Sequence, residues 1–187
     1  MSRRQDLVAK RAELKEEIHQ AAILEFSENG LRGASTQGIA DRASISKTKL
    51  HYYISSKEEL YQEVLNKIVV SWEAIYAGVS LENGPEAFFR DYIVRKVRYS
   101  LERPAEVRLF VHEVMSGAMQ LRNHWMGSRE ATLRAAAQIT KWIDRGQIRE
   151  VHPILLQFQF RILDSFQFHV ELMNLQLYIH HKIVYMD

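Results

Sequence analysis

Apolar positions along this chain recur at helical spacing. Ile18, Ala22 and Phe26 fall four apart with Ala21 beside them, which predicts a first helix over 6–29. Two shorter periodic runs follow, over 36–43 and 46–53. A fourth helix opens at Ser56, where Ser-Lys-Glu-Glu forms a capping box, and continues through Leu60, Val64, Leu65, Ile68, Trp72 and Ile75 on one face. Pro85, Pro104 and Pro153 each stand just ahead of an apolar-periodic stretch, where a first-turn position needs no N–H donor. Further helices are therefore expected from these prolines and from Ser128, and Gly30, Gly33, Gly84, Gly127 and Gly146 fall between runs as stops. The expected fold is all-α, with about nine helices and no internal repeat. Residues 157–170 resist the pattern, because alternating Gln-Phe pairs have strand period; helix is preferred, since a lone strand would have no ladder partner. The last segment, 174–187, fits a short helix or a tail.

Composition narrows the function classes. The chain of 187 residues is 47% hydrophobic and 26% charged, ordinary for a soluble globular protein. Having no cysteine, it can hold no disulfide, thiolate zinc site or cysteine nucleophile. The first 18 residues are charged throughout and lack a signal-peptide core, and no run is long and apolar enough to span a membrane. A cytoplasmic protein with no membrane partner is expected. Net charge is only +2, so any attraction to nucleic acid must be local.

It is local. Between Leu31 and Lys57 lie Arg32, Arg42, Lys47, Lys49 and Lys57 against the single acid Asp41. The two helices here are too short to stand alone, so Ile39, Ala40, Ile45 and Leu50 must be spent on packing. Lys47, Thr48, Lys49, His51 and Tyr52 are then left facing outward. A short helix displaying basic, hydroxyl and aromatic side chains suits the major groove of DNA. Thr36 and Ser46, at the starts of the two helices, suit phosphate contacts.

The stretch STQGIADRASISKTKLHYYISSKEELYQEVL resembles the helix-turn-helix of TetR-type transcriptional regulators, through Thr36, Ile39-Ala40, the turn Ala43-Ser44-Ile45, Ser46, Leu50 and Lys57-Glu58-Glu59-Leu60. The resemblance implies that the second short helix enters the major groove. It assigns base approach to Gln37, Lys47, Thr48 and His51, and phosphate contacts to Thr36, Tyr52, Tyr53 and Lys57. Three positions depart from the family pattern: His51 stands for the usual tyrosine, Ile54 for phenylalanine and Ser44 for the common turn glycine. Residues 1–56 are thus expected to form the DNA-binding domain and 57–187 a ligand-binding and dimerisation domain.

Over the larger half, RLFVHEVMSGAMQL and PILLQFQFRILDSFQF look like the branch that contains the pyrimidine-utilisation regulators. The resemblance implies a cavity lined by Trp72, with Arg161 where a second aromatic would stand. Phe110, Glu113, Asp164 and Ser165 complete the expected pocket. Arg161 and Asp164, three apart in an apolar run, fit either an anion anchor inside the pocket or an i,i+3 ion pair at an edge. Phe158, Ile162, Phe166 and His169 are expected at a dimer seam. The closing segment is short beside the family's usual last helix. The Phe and Met positions Phe88, Phe89, Phe110, Met115 and Met119 are expected in the core, and no cofactor or metal is expected.

The leading expectation is a homodimeric repressor that leaves a near-palindromic operator when a small molecule fills its cavity. Two others stand beside it: an architectural DNA binder with no ligand, and a helical enzyme using Glu113 as base, which would lack any nucleophile–base pair, phosphate loop or metal set.

Overall fold

The structure, a computed structural model, describes residues 3–77, 79–80, 82–121 and 125–157. These form α1 (Arg3–Gly33), α2 (Thr36–Arg42), α3 (Lys47–Tyr53), α4 (Lys57–Ala77), α5 (Gly84–Glu102), α6 (Pro104–Met115) and α7 (Trp125–Asp144), with residues 153–157 again helical. Among the described residues there is no strand, as the periodicity predicts. Of the ambiguous stretch 157–170 only Gln157 is described, and it is helical; 174–187 lies outside the described residues. Two helices begin earlier than expected, α1 at Arg3 and α7 at Trp125.

The chain divides into two compact units: Met1–Ile68 with Ala105–Arg122, and Val69–Pro104 with Asn123–Asp187. The first buries Ile18, Ala22 and Phe26 of α1 with Ile39 and Ala40 of α2, Leu50 of α3, and Leu60, Val64, Leu65 and Ile68 of α4. Each large aliphatic buried this way contributes roughly 1.5–3 kcal/mol, which is how seven-residue helices hold in water. The Phe26 and Tyr61 rings meet edge to face at 4.9 Å. Glu106, Val107, Leu109 and Glu113 are the buried positions of α6. In the second unit α5 packs on α7, with Phe88 and Phe89 against Trp142 at ring separations of 5.4 and 6.1 Å and Ile93, Ile139, Ile148 and Leu156 in the same core. The expectation of a core role fails for Met115 and Met119, which are 74% and 60% exposed. Met115 is the last residue of α6 and lies off its buried arc, and Met119 stands in the turn beyond.

What positions α2 and α3 is a carboxylate. Glu25, buried on α1, accepts the Ser35 backbone N–H at 3.2 Å through Oε1 and the Arg42 Nε–H at 3.0 Å through Oε2. These bonds pin both ends of α2. A Cβ at Gly38 would lie 2.5 Å from Glu25 Oε1, so only glycine lets the helix close over the carboxylate. Glycine inside so short a helix is otherwise unfavourable by about 1 kcal/mol. Ser35 caps α2 by accepting the Gly38 N–H at 2.9 Å, and the helix itself begins at Thr36 as expected.

The turn after α2 closes as a Schellman motif. The Ser44 N–H reaches the Asp41 carbonyl at 3.1 Å and the Ile45 N–H reaches the Ala40 carbonyl at 3.0 Å. Ser44 therefore has φ of 54°, a left-handed conformation in which a side chain is strained and glycine is not. The family's usual glycine at this place has its physical reason here.

α1 and α4 are also tied by charge. The buried His19 bonds Glu63 at 3.0 Å, Lys15 pairs with Glu63 at 3.2 Å, and Lys67 donates to Glu16 at 2.6 Å. Burial holds the His19 imidazole below its ordinary range, against the opposing pull of Glu63. The bonds from Lys67 and Gln20 hold the Glu16 carboxyl low. Burial raises the Glu63 carboxyl, but the bonds from His19 and Lys15 outweigh it.

Three stability outcomes follow, each measured by urea denaturation. Gly38→Ala should cost about 1–3 kcal/mol, because Glu25 must retreat from Ser35 and Arg42. Ser44→Gly should add about 0.5–1 kcal/mol by relieving the left-handed strain. On acidification the unfolded chain protonates its histidine first, near pH 6.5, while His19 in the fold takes up its proton only at lower pH. Stability from His19 is thus complete above about pH 6.5 and declines as pH falls below it; the two carboxylates lose theirs only below about pH 4.5. His19→Gln should flatten the decline between pH 7 and 5.5, and an unaltered slope would contradict this account.

Candidate nucleic-acid interface

Within α3 only Leu50 is buried, and it anchors the helix to the core. Lys47, Thr48, Lys49, His51 and Tyr52 are all exposed, the arrangement expected from subtracting the packing positions. Ser46 caps α3 by accepting the Lys49 N–H at 3.1 Å, so its own hydroxyl hydrogen stays available to an outside acceptor. Tyr52 is 72% exposed, and Tyr53, half-buried, meets it edge to face at 5.5 Å. The Arg11 guanidinium lies over both rings, at 5.7 and 6.0 Å. This orders the two tyrosines and adds a cation beside them. Nothing in the pattern around Arg11 signals the contact, because 41 positions separate it from Tyr52.

Other residues of the expected interface differ in how far they are engaged. Gln37 is exposed and donates to Asp41 at 2.7 Å, an i,i+4 bond that fixes its amide along α2. Thr36, half-buried, stands just inside the cap. The Lys57 ammonium donates to the Ala34 carbonyl at 2.8 Å, which ties the start of α4 to the α1–α2 connection and leaves two N–H donors. Arg42, counted in the local basic excess, is instead bound to Glu25 and also to Glu28, and these bonds raise its already high pKa. The cations displayed by the helix pair are then Lys47 and Lys49.

The residues expected in a ligand pocket are distributed over both compact units and the segment outside the described residues. Trp72, half-buried, belongs to the second unit, with the Tyr99 ring at 6.0 Å edge to face and the Lys96 ammonium 4.9 Å above it. Glu113 belongs to the first unit. Its Oε2 accepts the Tyr61 hydroxyl at 2.9 Å and its Oε1 the Gln120 N–H at 2.7 Å, while Gln62 and Gln120 bond through their side chains. Burial, with the bond to Glu113, pushes the Tyr61 phenol far up. Phe110 is half-buried on α6. Arg161, Asp164 and Ser165 lie outside the described residues, as do Phe158, Ile162, Phe166 and His169 of the expected dimer seam. Among the described residues no group of His, Asp and Glu side chains could hold a metal, and no helix is long and apolar enough to cross a membrane.

Comparison with known proteins places this geometry. Residues 18–64 match the family model of the bacterial regulatory proteins of the tetR family, and residues 65–183 match the model of the YcdC-like protein C-terminal region. The chain is 34% identical over 145 residues to the HTH-type transcriptional regulator RutR of Escherichia coli K12, covering 77% of this chain and 68% of the relative. It is 27% identical over 139 residues to the HTH-type transcriptional repressor SCO4008 of Streptomyces coelicolor, covering 74% and 69%. Among solved structures it resembles AibR in complex with isovaleryl coenzyme A and operator DNA, with a TM-score of 0.70 and 16% identity over 89% of this chain and 98% of that one. With its capped, left-handed turn and outward basic helix inside the matched segment, this chain belongs to the TetR family of DNA-binding transcriptional regulators.

Proposed function

We propose that the protein is a homodimeric repressor that reads a near-palindromic operator through α3 and releases it when a small effector binds in the C-terminal part of the chain. The observation that carries the reading is the exposed face of α3, where every residue but the Leu50 anchor and the half-buried Tyr53 is open to an incoming duplex. Lys47, Thr48 and His51 would meet base edges, with Gln37 beside them. Thr36, Ser46, Lys49, Tyr52, Tyr53 and Lys57 would hold phosphates, and such contacts fix position without reading sequence. DNA binding requires no membrane association and suits a cytoplasmic location.

A dimer follows from arithmetic. One seven-residue helix reads only a few base pairs, too few for genomic selectivity, so two copies about a two-fold axis would read half-sites one DNA turn apart. Phe158, Ile162, Phe166 and His169 are the proposed seam. For the effector, Trp72 with Tyr99 and Lys96 supplies aromatic faces and a cation, and Arg161, Asp164 and Ser165 are proposed to complete that pocket. Effector binding would shift the population toward a state whose two reading helices no longer match adjacent grooves. The enzyme alternative is disfavoured by Glu113, whose carboxylate oxygens are engaged by Tyr61 and Gln120 as an internal tie.

Selection of bound sites from random duplex DNA tests the reading: a near-palindromic consensus is expected, and no enrichment even at low salt would overturn it. On the selected site, Lys57→Leu should weaken binding to all sequences alike and flatten the salt slope by about 1. Thr48→Ala should instead change preference at one base position, by about 1–3 kcal/mol. The reverse pattern in competition titrations would reassign both contacts.

A further inference from the structure

The first compact unit contains a cavity of about 510 Å³ at the junction of α1, α4 and α6. Its shape starts from Gly30, where φ of 65° and ψ of 176° break the helix and turn the end of α1 aside. The His112 ring approaches to 3.0 Å from where a Cβ on that glycine would stand. α6 therefore closes on α1 across a bare backbone, and the space on either side of that contact is left open.

Three kinds of surface line the cavity. Arg32, His112 and Ser116 are exposed at it, and among the described residues none of their side chains makes a hydrogen bond or ion pair. All three can donate. Glu113 contributes a buried carboxylate whose oxygens accept one protein donor each, and a carboxylate has about four acceptor sites. Leu31 and Met119 add apolar wall. Open donors, a held acceptor and an apolar side together describe a ligand. It has a carboxylate for the Arg32 fork, an N–H or O–H for Glu113, and an apolar group for Leu31 and Met119.

We infer that this cavity binds a small α-amino or α-hydroxy carboxylic acid with an apolar side chain. The lining of this site belongs wholly to the first unit.

Calorimetry on the full chain without DNA tests it with three near-isosteric probes: L-phenylalanine, L-phenyllactate and 3-phenylpropionate. The last keeps carboxylate and ring but has nothing to donate to Glu113. One of the first two should bind about tenfold or more tighter than phenylpropionate, and the tighter of them identifies the group that meets the carboxylate. Arg32→Gln removes an exposed side chain without packing cost and should weaken that ligand by a further factor of about ten. Arg90→Gln, an exposed arginine of α5 paired with Glu86, should leave it unchanged. Equal affinity for all three probes, no binding at millimolar concentration, or indifference to Arg32→Gln would each overturn the assignment.

Discussion

The DNA-facing geometry depends on one buried carboxylate. α2 and α3 are seven residues each, below the length at which a helix holds itself in water. Something outside them must set where they start and how they lie. Glu25 does this for α2 from the neighbouring helix, gripping the Ser35 N–H at one end and Arg42 at the other. α3 then inherits its place through the Schellman turn and the Leu50 anchor. The cost of burying Glu25 is offset by a guanidinium and a backbone donor, and the side of α2 that meets it is a glycine. An outward face free of packing duties, such as α3 shows, is possible only because the fixing is done elsewhere.

Much of this was legible in the residues. The packing positions Ile39, Ala40 and Leu50 and the exposed set on α3 follow from helical period and the shortness of the runs, and the structure has them so. Ser56 caps α4 as its Ser-x-x-Glu pattern predicts, accepting the Glu59 N–H at 3.0 Å. Glu25 was illegible, because its partners lie 10 and 17 residues away and a carboxylate on an amphipathic helix reads as solvated surface. Gly38 carried a signal, a glycine inside a helix too short to afford one, but not the name of what approaches it. Arg42 misled in the same way: a count of charges treats it as a cation for DNA, whereas two carboxylates from α1 hold it. Met115 and Met119 looked like core because apolarity is counted without knowing where α6 stops.

Packing groups the helices in a way that sequence position does not suggest. A boundary at 56/57 separates residues by the task proposed for them, yet Ala105–Arg122 folds with Met1–Ile68. The tie is polar as well as apolar. Glu113 of α6 bonds Tyr61 of α4, and the Tyr61 ring rests edge-on against Phe26 of α1. Drawing α6 away from α4 would break the Tyr61 bond and leave a buried carboxylate short of one donor, a penalty of about 1–3 kcal/mol. Small displacements of α6 are therefore resisted steeply, and a large one needs new partners for Glu113 waiting at its end. A tie of this kind resists graded deformation of α6 against α4.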